Sequence, residues 1–186
     1  MRRGASVLVP LLLLLAAGGC TLQPLYAGGA AGPVAASLSG IEVAPIQGKA
    51  GWLVANALRD RLGAMGGSGA GAPRYRLNVV LDDQIIGLGA RADDAVSRER
   101  RTLRARFQLI EAGKGTVVLD ATAGSDAGID VVGSEYATIA AESTALERLS
   151  DTVAEQIVGR LALYARRTQA ATGGAATAGA AGTPAP

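Results

Sequence analysis

The chain has no histidine and a single cysteine, Cys20, among its 186 residues. Histidine and cysteine are the usual zinc ligands, and the common Ser-His and Cys-His catalytic pairs both need a histidine. The acidic residues are scattered, and no recognisable motif pairs them. Aromatic residues make up only 3% of the chain, too few for a basic and aromatic platform that binds nucleic acid. We therefore expect no enzyme, no metal site, no cofactor and no nucleic acid partner.

A strong excess of charge is also missing. The formal net charge of +2 is due to Arg2 and Arg3, because without them the basic and acidic side chains number sixteen each. The same two arginines precede a short apolar run from Val7 to Ala17. This run is well below the roughly twenty residues that a membrane-spanning helix needs. A positive start, a short apolar core and small residues are typical of a secretory signal peptide, which we assign to residues 1–19.

Cys20 follows Gly18 and Gly19, an ending that resembles a bacterial lipobox. In a lipobox, cleavage before the cysteine exposes an amine and a thiol that both become acylated. We expect N-acyl and S-diacylglycerol groups, palmitate among them, on Cys20, since several acyl chains hold a protein stably on a membrane. Thr21 rather than an aspartate follows the cysteine, and by resemblance to Gram-negative lipoproteins this favours the periplasmic side of the outer membrane over retention at the inner membrane. Secretion with a free thiol is the alternative.

Hydrophobic periodicity predicts one α+β domain over residues 38–167. Alternation predicts a strand in Leu38–Ile46 and three strands in 74–86, 98–110 and 117–123, while three- and four-residue spacing predicts helices over Gly48–Met65 and Ala137–Arg166. The expected fold is a two-layer sandwich, a four-stranded mostly antiparallel sheet with two helices on one face, in the order β-α-β-β-β-α. Residues 20–37 are predicted to be a tether, and residues 168–186, which are low in complexity, a disordered tail.

Trp52 falls in the first turn of the first predicted helix. An anchor in the core or at its rim is one interpretation of this side chain. An aromatic group that faces a membrane or a partner is the other.

The face of the sheet without helices is the candidate binding surface. Pairing Tyr75 with Leu109 and Leu77 with Phe107 would place Arg76, Arg104 and Arg106 together on that face, with Arg76 diagonal to Arg106. Arginine binds phosphate through a planar fork of donors, so these three arginines are candidates for a phosphorylated ligand. A solvated face is the competing interpretation, since residues 20–186 contain fourteen arginines and only two lysines.

Several phrases resemble a known family. CTLQPLYAG is similar to the opening of the lipopolysaccharide-assembly lipoproteins of the LptE (RlpB) family, in the form found in alphaproteobacteria. YRLNVVL, TLRARFQLIEAGKGTVVLD and the final stretch SEYATIAAESTALERLSDTVAEQIVGRLALYARR match in the same order. Thr21 and Leu22 depart from the usual Gly-Phe after the cysteine.

This resemblance implies an LptE-like domain that sits in the β-barrel of an LptD-type protein. It would plug the barrel and assist its assembly while lipopolysaccharide (LPS) is delivered to the cell surface. It also implies contact with the LPS phosphates, for which Arg76, Arg104 and Arg106 are the candidates from the face argument. An auxiliary lipoprotein of a lipid-transport ABC system in the periplasm is the alternative function, and an enzyme that acts on envelope polymer is a third.

Overall fold

The computed structural model describes residues 32–66, 72–90, 96–131 and 133–180. Their elements are α1 (Pro33–Leu38), β1 (Ile41–Val43), α2 (Gly48–Gly66), β2 (Tyr75–Ala90), β3 (Val96–Glu111), β4 (Val117–Asp130) and α3 (Glu135–Ala180). The strands form one sheet in the order β1-β2-β3-β4. Strand β1 runs parallel to β2, and the other two pairs are antiparallel. The predicted α+β sandwich with a mixed four-stranded sheet is confirmed. The assigned signal peptide, Cys20 and most of the predicted tether lie outside the described residues.

The core lies between the helices and one face of the sheet. Leu77, Leu103, Phe107 and Leu109 of the two central strands have at most 1% of their surface exposed. They pack in one cluster with the apolar stripes of the helices, which include Val54, Leu58, Leu146, Val153, Ile157 and Leu161. The helical spacing read from the sequence therefore identified the buried stripes of both long helices.

The N-terminal part of the fold differs from the prediction. Leu38, expected at the start of a strand, ends the short helix α1, and the strand covers only Ile41–Val43. Pro33 occupies the first turn of α1, where its missing N–H costs nothing. Val34, Ala35 and Leu38 are buried on the face of α1 that packs against the core. Residues 33–37 of the predicted tether are therefore helical, since the alanines among them favour a helix.

The predicted register of the central hairpin is wrong by two residues. Tyr75 lies opposite Glu111 rather than Leu109, and Leu77 lies opposite Leu109 rather than Phe107. A shift of two residues keeps every side chain on the same face of the sheet, so the hydrophobic pattern fits both registers equally well. The faces were predicted correctly, and the neighbours across the strands were not.

Strand β4 begins with a bulge. The register shifts between Leu109 and Ile110, which lie opposite Leu119 and Val117. Val118 is the extra residue and packs against the core, whereas Val117 is exposed. The alternation predicted from residue 117 to 123 is thus interrupted at the start of the strand by an inserted residue, and Val117 does not share a face with Leu119.

The last helix is much longer than predicted. It extends through Ala180, so residues 168–180 of the predicted disordered tail are helical, and only 181–186 lie outside the described residues. Alanine has the highest helix propensity, which explains how a low-complexity stretch continues the helix. The Gln169 amide donates a hydrogen bond of 2.9 Å to the Ser37 hydroxyl of α1. At the other end, Ile139 in the first turns of the helix is 56% exposed, so the buried stripe begins after it.

Trp52 is 64% exposed on α2. It is therefore no core anchor.

Candidate functional site

The open face of the sheet separates the three predicted arginines. Arg106 lies opposite Val80 and Arg104 opposite Asp82, whereas Arg76 lies opposite Ile110. Four residues of strand, about 14 Å, therefore separate Arg76 from the residue opposite Arg106. The predicted diagonal contact of Arg76 with Arg106 is wrong, because it depended on the shifted register. Arg104 and Arg106 remain neighbours on one face of β3.

Arg106 is engaged by a carboxylate of the next strand. Its Nε and Nη2 atoms donate hydrogen bonds of 3.2 and 2.8 Å to the two oxygens of Asp120. Gln108 donates a further bond of 2.8 Å to Asp120 Oδ2. The bonds from Arg106 and then from Gln108 lower the pKa of Asp120 to about 2, and the pKa of Arg106 is raised by the same pairing. Much of the charge of Arg106 is thus compensated within the protein.

Arg104 crosses the neighbouring strand over a glycine. A Cβ atom on Gly124, which lies opposite Arg104 on β4, would be 2.7 Å from Arg104 Cδ and 3.2 Å from the Leu103 carbonyl oxygen. A side chain at this position would therefore displace Arg104. The glycine lets the arginine lie flat and reach toward the outer edge of the sheet.

That outer edge of β4 is held by the last helix. Gly124 N–H donates to Gln156 Oε1 at 3.1 Å, and Gln156 Nε2 donates to the Gly124 carbonyl at 3.2 Å. One side-chain amide thus satisfies both backbone groups that an edge strand would leave unpaired. Arg160 lies one helical turn after Gln156 and is carried to the same place.

Strands β2, β3 and β4 and helix α3 border a cavity of about 520 Å³ that is open to solvent, which we call the Gly124 notch. Its lining includes Asp82, Arg104, Arg106, Thr122, Gly124, Gln156 and Arg160. Within the described parts of the chain, Arg104 and Arg160 form no ion pair with a carboxylate. Two guanidinium groups that form no ion pair there suit an anion such as a phosphate, and Asp82 is a carboxylate in the same lining.

The sequence reasoning did not find Arg160. In the sequence it is one of several basic residues toward the end of a long helix, where it suits the helix dipole. Only the bond between Gln156 and Gly124 brings it beside Arg104. No spacing within the sequence signals that contact, since 32 residues separate the two partners.

A second pair of charges secures the helix-covered face near the start of α3. Arg101 donates from Nε and Nη2 to the two oxygens of Asp83 at 2.8 and 2.6 Å, and from Nη1 to the Glu142 carbonyl at 3.0 Å. The bond to Asp83 is the main cause that raises the pKa of Arg101. These contacts link the upper part of the hairpin to α3, so this arginine is structural rather than available to a ligand.

The edge of β2 differs from that of β4. Strand β1 pairs only with Tyr75–Leu77, so among the described residues the side of β2 that faces away from β3 has no strand partner from Asn78 to Ala90. The Leu77 carbonyl accepts from Ala44 on the β1 side, whereas the Arg74 carbonyl accepts from Ala112 on the β3 side. By this alternation, every second residue from Val79 to Gly87 directs its N–H and C=O outward. Exposed Val80, Ile85 and Ile86 border this edge.

The described residues contain no group of three or more metal-ligating side chains of the His, Cys, Asp or Glu type. A membrane-spanning helix is not found among them either. Cys20, the predicted lipidation site, lies outside the described residues.

Comparison with known proteins gives a family match and several solved structures. The model of the family described as LptE, Lipopolysaccharide-assembly, matches residues 38–161. No curated protein matches the chain significantly.

The solved structures support the fold. A lipoprotein from Caulobacter crescentus CB15 is 24% identical, with a TM-score of 0.58 over 74% of this chain and 98% of that one. A minor lipoprotein from Acinetobacter baumannii is 16% identical, with a TM-score of 0.53 over 66% and 90% of the two chains. Rare lipoprotein B from Shewanella oneidensis is 14% identical, with a TM-score of 0.50 over 69% and 96%. At these identities, the likeness concerns the fold alone.

Proposed function

Since this chain belongs to the LptE lipopolysaccharide-assembly family, we propose that it is the lipoprotein subunit of an LPS translocon at the outer membrane. Acyl groups on Cys20 anchor it on the periplasmic side. It assembles with an LptD-type β-barrel and plugs that barrel, and it contacts LPS during delivery to the cell surface. The family match over residues 38–161 is the observation that carries this proposal. Its role is binding and assembly rather than catalysis.

The Gly124 notch is the proposed contact for an LPS phosphate. Arg104 and Arg160 provide two forked cation donors without an internal carboxylate partner, and the cavity between them is open to solvent. Arg106 contributes less, because Asp120 already accepts two of its hydrogen bonds. Arg76 lies farther along β2 and is expected to have little effect on this contact.

The free edge of β2 is the proposed contact for the barrel partner. Unpaired strand edges bind extended segments of other chains through main-chain hydrogen bonds. Apolar Val80, Ile85 and Ile86 beside the edge would add side-chain contacts. The opposite edge, on β4, is less suitable, because the Gln156 side chain already forms hydrogen bonds with the backbone of Gly124.

Affinity capture of the lipidated chain tests the partnership. Purification from detergent-solubilised membranes is expected to recover a large β-barrel protein in a stable complex. Depletion of the chain is expected to reduce correctly assembled barrel and LPS at the cell surface. Recovery of an inner-membrane permease complex would instead support the auxiliary subunit of an ABC system. Normal barrel assembly and normal surface LPS after depletion would refute the proposal.

LPS binding tests the notch separately from the partnership. The double variant Arg104→Ala, Arg160→Ala is expected to weaken LPS binding by about tenfold or more, since hydrogen bonds to charged groups contribute about 1.5–3 kcal/mol. The loss is expected to shrink as salt is raised, because salt screens exposed charges. Arg148→Ala, an exposed arginine on the same helix, is the matched control and should leave the affinity within about twofold. Equal affinities for the double variant and the control would exclude the notch as the phosphate contact.

A further inference from the structure

An apolar pocket lies at the opposite end of the sheet from the β2–β3 hairpin tip. It has a volume of about 510 Å³ and is bounded by the end of α1, the base of the sheet and the last turns of the packed part of α3. Leu38, Leu109 and Leu161 form its floor and are at most 1% exposed. Tyr75 and Tyr164 line its sides and are half-buried. Such a size and lining are typical of a pocket that holds an apolar group.

The rim of this pocket is polar and is fixed by contacts between elements. The guanidinium of Arg74 lies over the Tyr75 ring, 5.9 Å from its centroid. Across the mouth, the bond from Gln169 to Ser37 ties α3 to α1. The pocket is therefore a built feature between three elements, and neither the phosphate contact nor the strand edge uses it.

The chain that precedes α1 is close to this pocket. Ser37 and Leu38, the last residues of α1, line the pocket, and α1 is only six residues, about 9 Å, long. Gly32, the residue just before α1, is buried. Six residues from Ala27 to Gly32 span at most about 20 Å, enough to return along α1 to the pocket.

The composition of this preceding segment matches the pocket. Residues 21–41 contain no charged side chain, and Leu22, Leu25 and Tyr26 are the large apolar residues between Cys20 and α1. Burial of such side chains is favourable in proportion to the apolar area removed from water. Because the floor of the pocket is apolar, a segment without charges can dock there without burying a charged group.

We propose that the segment Leu22–Tyr26 docks into this apolar pocket. Docking places the start of the mature chain at the base of the sheet, beside α1 and β1. The sixteen residues of β2 rise about 50 Å from that base, so the hairpin tip points away from the anchored end. The pocket thereby sets the direction in which the domain projects from the membrane. The docking itself does not depend on the proposed role in LPS transport.

Disulfide trapping in the full mature chain tests this docking. The substitution Cys20→Ser removes the only cysteine and with it the lipid. Leu25→Cys and Thr168→Cys then place one thiol in the segment and one at the exposed mouth of the pocket. A disulfide needs Cα atoms within about 7 Å, so rapid formation reports a docked segment.

The matched control keeps the same cysteines and the same chain length. Leu22→Ser and Tyr26→Ser remove the apolar side chains and are expected to slow disulfide formation by about tenfold or more, because the segment then reaches the mouth only as a tether. Equal rates in the two chains would overturn the proposal.

Alkylation gives a second measurement that needs no disulfide. In the chain with Cys20→Ser, a thiol at Leu25→Cys should react with a maleimide at least about tenfold more slowly than one at Gly29→Cys, which lies between the segment and α1. Equal reactivity would overturn the proposal as well.

Binding of a fluorescent fatty acid is the third measurement. The fatty acid should bind the chain with Leu22→Ser and Tyr26→Ser better than the parent chain, and equal binding by both would show that the segment does not occupy the pocket.

Discussion

The amide of Gln156 determines how α3 attaches to the edge of the sheet. Its two hydrogen bonds to Gly124, of 3.1 and 3.2 Å, are half-buried and join residues 32 positions apart. Gln156→Ala removes both. A hydrogen bond contributes about 0.5–1.5 kcal/mol net, and water can reach part of an edge strand after truncation, so we expect a loss of about 1–2 kcal/mol. For a domain of this size, that loss corresponds to about 3–6 °C in Tm.

Urea unfolding monitored by circular dichroism measures this loss. The midpoint should fall without a change in the slope, since the surface exposed on unfolding is nearly the same. Glu155→Ala, the exposed neighbour on the same helix, is the control and should stay within about 0.5 kcal/mol of the parent chain. LPS binding should also weaken in Gln156→Ala, because Arg160 loses its attachment to the notch. If the two variants unfold alike, the reasoning about this contact is refuted.

Three further predictions concern other contacts. The Asp120 carboxyl should titrate by NMR with a pKa of about 2. Its contribution to stability is complete above an ordinary aspartate pKa near 4 and should disappear as the pH falls through 2. A titration midpoint near 4, or no change of the pKa in Arg106→Ala, would contradict this. A lysine at position 101 cannot keep both hydrogen bonds to Asp83 and the bond to α3. Arg101→Lys should therefore lower the free energy of unfolding by about 1–3 kcal/mol. A loss below about 0.5 kcal/mol would argue against a structural role for Arg101. Ile85→Pro should leave Tm nearly unchanged, because the Ile85 N–H points away from β3, but should abolish the complex with the barrel, whereas Ile85→Ala should retain it.

Local periodicity was enough to predict most of the architecture. Leu77, Phe107 and Leu109 alternate with polar residues, and Val54 and Leu58 recur at helical spacing, so each element's buried face follows from the sequence. These signals depend on neighbours within one segment. The order β2-β3-β4 then follows from short connections between consecutive strands, while α2 forms the crossover that joins β1 to β2 in parallel.

Contacts between segments that are distant in the sequence were harder to predict than the elements themselves. A register shift of two residues leaves the alternation intact, and this is why Arg76 was placed beside Arg106. A bulge near Val117 changes the face of one residue without a clear signal in composition. The candidate site depends on the same kind of information, because Arg160 and Arg104 meet only through the contact of Gln156 with a distant strand.

The two edges of the sheet argue for a division between the proposed contacts. On β4, Asp120, Asp126 and Asp130 stand on the open face and Gln156 holds the backbone, features that discourage another strand. On β2, the length from Asn78 to Ala90 pairs with no further strand among the described residues, and it carries exposed Val80, Ile85 and Ile86 together with Asp82 and Asp83. The notch reaches β2 at Val80 and Asp82, whereas Arg104 and Arg160 lie on β3 and α3 and Ile85 lies farther along β2. Changes in the arginines of the notch should therefore weaken LPS binding and spare the barrel complex, while Ile85→Pro should do the reverse. Loss of both activities in either variant would mean that one surface serves both partners.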